Sequence, residues 1–144
     1  GSRLLGDAYG QVIGMMFQAV KLKQAVQIHG DGSQTRCFTH IDDVVNGFIL
    51  AGELDVGLLH GQPLAGCSFN IGSTEEISIA ELARCIKAAV DDAGIEVIHS
   101  EGYYGDSKRR VPDCTAAEQL LGWHCTTKLG PGLKRVWREL DVQP

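Results

Sequence analysis

Residues 30–43 read Gly30-Asp31-Gly32-Ser33-Gln34-Thr35-Arg36-Cys37-Phe38-Thr39-His40-Ile41-Asp42-Asp43. Two glycines flank Asp31, the composition of a tight turn in which at least one residue takes positive φ. Past the turn, Cys37, Thr39 and Ile41 alternate with Phe38 and His40, which predicts a short strand. Asp42 or Asp43 then caps a helix, because a side-chain oxygen there can accept the orphan N–H groups of a first turn. Arg36 leaves the turn just as the strand begins. Beside Gly-rich backbone its guanidinium suits a phosphate, gripped through paired N–H bonds, and it equally suits an ion pair with Asp31 or Asp42. The residues alone leave both uses open.

Upstream, Val12, Ile13, Met16, Phe17 and Val20 recur at steps of three and four over residues 11–23, the stripe of an amphipathic helix. Ala25 to His29 reads as a strand running into the turn. Downstream, residues 43–54 predict a helix with Val44, Val45, Phe48, Ile49, Ala51 and Leu54 on its apolar side. Residues 55–66, with Gly57, Gly61, Pro63 and Gly66, read as a longer surface loop. Cys67 to Gly72 reads as a buried strand closing in a turn. Ser78 with Glu81 three residues on makes a capping box, and Ile77 can staple onto Leu82. Ile79, Leu82, Ile86, Ala89 and Val90 form that helix's inner face, and Gly94 stops it. Ile95 to His99 alternate as a strand, and residues 100–110 are polar and Gly/Tyr-rich, a loop. Asp113 can cap a short helix containing Ala117, Leu120 and Leu121, ended by Gly122. A last helix near 130–140 presents Leu133, Val136, Trp137 and Leu140, with Pro131 tolerated in its first turn. The pattern predicts one compact α/β (α+β) unit over residues 1–144.

Composition narrows the function classes. With 44% apolar and 22% charged residues the chain reads as an ordinary soluble globular protein. A net charge of −5 gives no footprint for nucleic acid or an anionic membrane. Five cysteines, an odd number without C-x-x-C spacing, support neither a disulfide framework nor a zinc site; reduced thiols in a cytoplasmic protein are the expectation. No apolar run approaches a membrane span, and no signal-peptide pattern opens the sequence.

Four stretches carry a resemblance: Gly30 to Val45, Phe69-Asn70-Ile71-Gly72, Arg109-Arg110-Val111-Pro112-Asp113, and Leu121-Gly122-Trp123. In this order and at this spacing they resemble extended short-chain dehydrogenase/reductases that act on nucleotide sugars. That NAD-dependent family includes UDP-galactose epimerases, dTDP-glucose dehydratases and UDP-glucuronate decarboxylases. The likeness runs from about Tyr9 to Leu140 and implies the C-terminal, substrate-binding part of such an enzyme, without the main NAD-binding Rossmann half. The sequence departs from the family at positions 14, 22 and 24, where Gly, Leu and Gln replace the expected Pro, Gly and Pro. The loop ahead of Arg109 is also several residues shorter.

What the resemblance implies about sites is specific. The counterparts of Arg36 and Arg110 hold the diphosphate of a nucleoside-diphosphate sugar, and two forked cations on one diphosphate make physical sense. His29 matches a position, usually aromatic, that lies along the nucleotide base. Asn70 matches an asparagine that lines the substrate cleft or holds its own turn. Arg109 reads as a solvated charge and Asp113 as a helix cap. NAD belongs to the parent enzyme, whose Gly-x-x-Gly-x-x-Gly turn does not occur in this sequence. The resemblance places that turn, and the catalytic Tyr-x-x-x-Lys pair, ahead of residue 1. It thus leaves this chain without catalytic or cofactor-binding residues and inactive on its own. The parent reaction would begin by oxidising the sugar at C4. The alternative is a free-standing, non-catalytic nucleotide-sugar-binding or oligomeric structural module. Loss of neighbours along the strand ending at Gly72 and on the helices at 11–23 and 78–93 would favour a homo-oligomer.

Overall fold

The computed structural model describes residues 11–53, 58–59, 62–63, 66–102 and 104–141. Helix α1 (Val12–Lys21) buries Met16 and Phe17, as the apolar period predicts. Strand β1 (Val26–His29) follows, and the Gly-Asp-Gly turn after it needs both of its glycines. Gly30 has φ 72° and Gly32 φ 75°, and a Cβ on Gly32 would lie 3.1 Å from both Ala80 Cβ and Ile28 Cγ2. Asp31 Oδ1 accepts from Ser33 N at 2.9 Å, which closes the turn.

Strand β2 (Thr35–Cys37) is shorter and earlier than the alternation of residues 37–41 suggests. Its antiparallel partner β5 (Glu76–Ser78) is only three residues long, paired Thr35↔Ser78 to Cys37↔Glu76, and the ladder ends with it. Ile41 instead opens helix α2 (Ile41–Glu53). Neither Asp42 nor Asp43 caps that helix. His40 stands ahead of it: its carbonyl accepts from Asp43 N and Val44 N, and its Nδ1 accepts from Asp42 N at 3.3 Å.

Helix α2 also turns opposite to expectation. Asp43 and Gly47 are its buried residues, while Ile41, Val45, Phe48 and Ile49 face outward, Phe48 being 74% exposed. Gly47 explains the approach: a Cβ there would meet Ile71 Cγ2 at 2.8 Å, so only glycine lets the helix sit this close. Asp43 explains the rotation, because its carboxylate is bonded inward to residues 126–127. Leu54 and most of the 55–66 loop lie outside the described residues; within it β3 (Leu58–Leu59) and β4 (Gln62–Pro63) form a small antiparallel ladder.

The stretch Cys67–Gly72 is extended but is not a strand, since no described residue pairs with its backbone. Side chains hold it instead: Asn70 Nδ2 donates to Asp113 O at 2.9 Å and the Cys114 thiol donates to Gly72 O. Helix α3 (Ile79–Val90) has Ser78 as its N-cap, the hydroxyl accepting from Glu81 N at 3.1 Å. It stops at Asp91, φ 55°, not at Gly94, which sits in an Asx turn donating to Asp92 Oδ1. Carbonyls of the Gly-Asp-Gly turn region serve its first N–H groups, Gly32 O from Ala80 N and Gln34 O from Ile79 N, both at 3.0 Å.

Strand β6 (Val97–Ser100) runs parallel to β1, in register from Val26↔Val97 to His29↔Ser100. Asp113 Oδ1 accepts from Thr115 N, as a cap should, and a π-helical turn (Ala117–Leu121) ends at Gly122 with φ 64°. Helix α4 (Leu129–Asp141) closes the larger core. There Leu133 and Leu140 join Met16, Phe17, Val26, Ile28, Leu82 and Ile86, and the Trp137 ring stacks on Phe17 at 5.4 Å. Helices α1 and α3 are therefore covered, contrary to the expectation that they lack neighbours. A smaller core of Cys114, Ala117, Leu121 and Trp123 packs under Leu50, Phe69 and Ile71.

Candidate functional site

Strand β2 carries Arg36, and the second arginine motif is drawn alongside it by main-chain pairing. Thr35 N donates to Lys108 O at 2.9 Å and Arg110 N to Thr35 O at 3.3 Å, so Thr35 and Arg109 form a parallel bridge. Part of the sequence-predicted loop 100–110 is thus paired backbone. An open cleft of about 570 Å³ lies between the two motifs. Arg36, Thr39, Ser73, Arg109, Arg110 and Pro112 line it, with Cys37 and Val111. Its floor is tight: a Cβ on Gly72 would meet Pro112 Cγ at 3.0 Å. Ser73 is buried, and its N–H donates to Thr39 Oγ1 at 2.9 Å.

The three arginines are in different states. Arg36 Nη1 donates to Thr35 O and Ser107 O, both at 2.7 Å, while Nη2 meets Asp106 Oδ1 at 2.6 Å. Arg109 is exposed, as a solvated charge should be, but it is also committed: it grips Glu76 with two nitrogens at 2.9–3.1 Å, and Glu76 Oε1 also accepts from Thr35 Oγ1 at 2.5 Å. The Thr35 hydroxyl first, then Arg109, holds the Glu76 carboxyl below its ordinary range. Glu76 in turn pushes the Arg109 guanidinium up. Arg110 is exposed, and its guanidinium has no bond or ion pair among the described residues. It is the cation that projects uncommitted at the cleft.

His29 and Asn70 do not line this cleft. His29 Nδ1 shares a 2.8 Å hydrogen bond with Ser100 Oγ at the ends of β1 and β6, and Asn70 pins Asp113 O. Glu76, Ser73 and Asp106 went unnoticed in the sequence. An acid beside an arginine-rich run is too common a pattern to single out Asp106. Burial pushes the thiols of Cys37, Cys85, Cys114 and Cys125 upward, which keeps them protonated and poor nucleophiles. Among the described residues no three His, Cys, Asp or Glu side chains converge as a metal site.

Residues 3–72 match the family of NAD dependent epimerases/dehydratases. UDP-glucuronic acid decarboxylase 2 of Arabidopsis thaliana is 32% identical over 134 residues, 92% of this chain and 27% of that protein. The chain is similar to the NAD-dependent epimerase/dehydratase family over nearly half of its length. UDP-glucose 4-epimerase of Mycolicibacterium smegmatis is likewise 32% identical, over 90% of this chain and 39% of its own length. The crystal structure of UDP-glucose 4-epimerase from Thermotoga maritima with UDP-glucose superposes with a TM-score of 0.80 at 26% identity, covering 94% of this chain and 41% of that one. The chain therefore spans between about a quarter and two-fifths of the length of these family members.

Within the family comparison one expectation needs correcting. A Tyr-x-x-x-Lys spacing does occur in this chain, from Tyr104 to Lys108. It lies in a turn, with Tyr104 fully exposed, and not on a helix. Helical geometry is what stacks residues four apart one turn above the other, so the spacing here, in a turn, does not make the family's pair. Tyr103 lies outside the described residues.

Proposed function

We propose that this chain binds nucleoside-diphosphate sugars, as the substrate-binding domain (residues 1–144) of an NAD-dependent epimerase/dehydratase. Arg110 and Arg36 would hold the diphosphate, and Asn70 and His29 would shape the surroundings. The observation that carries this reading is the Thr35–Arg109 bridge, which sets both arginine motifs around one open cleft. The residues described do not fit NAD. Among the described residues neither glycine turn after a parallel strand leads into a helix: Gly30–Gly32 after β1 runs into β2, and the turn at Gly105 after β6 runs into the Arg109 bridge, so no helix N-terminus meets a pyrophosphate at either. No step of a reaction is therefore assigned to this chain, and C4 oxidation is placed with the parent enzyme. The thiols of Cys37, Cys85, Cys114 and Cys125 are in keeping with a reducing, cytoplasmic setting, and none of the described helices is long and apolar enough to cross a membrane.

Calorimetry with UDP tests the reading. Affinity near the millimolar end is expected, roughly −4 kcal/mol. Removal of a charge-assisted contact is worth about 1.5–3 kcal/mol, so Arg110→Ala and Arg36→Ala should each abolish most of it. Unchanged binding in Arg110→Ala would refute the diphosphate assignment.

A second reading, a self-associating module, is favoured by the outward stripe of Ile41, Val45, Phe48 and Ile49 on α2, four apolar side chains on one helical face. Among the described residues no third strand joins the β1–β6 pair, and such an edge can accept another chain. A second copy of the chain is the occupant we infer, since symmetric pairing is the commonest closed solution. Light scattering should report a dimer mass that Phe48→Glu reduces to the monomer. A monomer persisting at high micromolar concentration would rule this out.

A further inference from the structure

We propose that Asp106 is an internal competitor for the anion-binding edge of Arg36, so that a ligand phosphate must displace it. This deepens the diphosphate reading and rests on it. A guanidinium has five N–H donors. Both donors on Arg36 Nη1 are committed to main-chain oxygens, Thr35 O and Ser107 O at 2.7 Å, which fix the side chain in place. What remains for an incoming anion is the edge formed by Nε and Nη2. Asp106 Oδ1 already sits on Nη2 at 2.6 Å. The pair is partly shielded, with Arg36 18% and Asp106 33% exposed, so its attraction is less screened than on an open surface.

The two carbonyl bonds decide between a helper and a competitor. Were Asp106 needed to aim Arg36, its loss would free the side chain and weaken binding. The anchoring on Nη1 makes that aid unnecessary. Asp106 therefore contributes chiefly a negative charge at the spot where a phosphate oxygen would sit, and like charges in contact oppose each other. It follows Gly105, whose φ of 82° marks a turn outside any helix or strand, so displacing its side chain disrupts neither. Arg110, uncommitted in the same cleft, supplies the first attraction, and the ligand's second charge then has to win Arg36 from Asp106. The arrangement discriminates by charge: a nucleoside diphosphate can compete where a nucleoside monophosphate, with one phosphate fewer, does not.

Titration calorimetry of UDP and UMP into the wild-type chain, Asp106→Asn and Asp106→Asn/Arg36→Ala tests this, with circular dichroism melts to confirm that each is folded. Asp106→Asn should bind UDP about tenfold more tightly and narrow the UDP-over-UMP preference, and Arg36→Ala in that background should erase the gain. Equal or weaker UDP binding by Asp106→Asn overturns the competitor role while leaving the diphosphate reading intact. No UDP binding by any of the three overturns both. Asp106→Ser serves as a second variant, and a gain confined to one of the two substitutions also counts against the proposal.

Discussion

Asp43→Ala is expected to cost about 2–4 kcal/mol of folding stability, because it removes a charged acceptor and leaves its neutral donors without a partner. Asp43 is 4% exposed. Its carboxylate accepts from Thr126 Oγ1 at 2.7 Å and from the N–H groups of Thr126 and Thr127 at 3.1 Å. Burial by itself would raise this carboxyl, but the bonds from Thr126 and Thr127 outweigh it and lower it from 3.8 to about 2. A depressed carboxylate stabilises the fold above its unfolded value and loses that contribution as pH falls through its folded value. The stabilisation should thus be complete above about pH 4–5 and fade toward about pH 2, amounting to about 2 kcal/mol at about 1.4 kcal/mol per unit. Urea melts of wild type and Asp43→Asn across pH 2–7 check both statements. The difference between them should shrink at low pH, and a constant difference would show that the carboxylate's charge plays no part.

Trp123→Ala should be comparably damaging, about 3–5 kcal/mol, through lost burial and an unfilled cavity. Trp123 is 1% exposed and is the largest fully buried side chain described. Its Nε1 donates to Asp43 O at 2.8 Å, so the ring and the carboxylate fasten the same two segments from opposite sides. Trp123→Phe removes the donor but keeps most of the apolar volume, and about 1–2 kcal/mol is expected for it. Because Trp123 is bonded to Asp43 itself, the double variant with Asp43→Ala should fall short of the sum of the singles. Additive losses in urea melts would mean that the two contacts act independently.

What the sequence disclosed and what it withheld divide along the reach of the interactions. The Gly30–Gly32 turn, the Ser78 cap and the Asp113 cap are decided within three residues, and each was legible. The stripe of α1 was legible because a helix fixes its own face. The face of α2 was not. Periodicity told which side is apolar, yet Asp43 and Gly47 govern which side is buried, and the long-range partners of Asp43 lie 80 residues and more away. Residues 67–72 have strand composition, but a strand exists only where a second chain segment completes its ladder. At the cleft, the two arginine motifs could be paired by resemblance. The commitments of Arg36 to Asp106 and of Arg109 to Glu76 depend on a bridge no local pattern announces.

The parallel pairing of β1 with β6 has a consequence for the order in which the chain can fold. His29 and Ser100, which close that pair, are 71 residues apart, and the Lys21 ammonium bonds Leu140 O across 119. Contacts this distant must wait for loop closure before they return any stabilisation. On a ribosome, α1 and β1 emerge with Phe17, Val26 and Ile28 uncovered long before Leu133 and Leu140, which seal them. The larger core therefore cannot assemble until α4 has emerged. Until then the nascent chain presents a bare apolar surface, a substrate for chaperones.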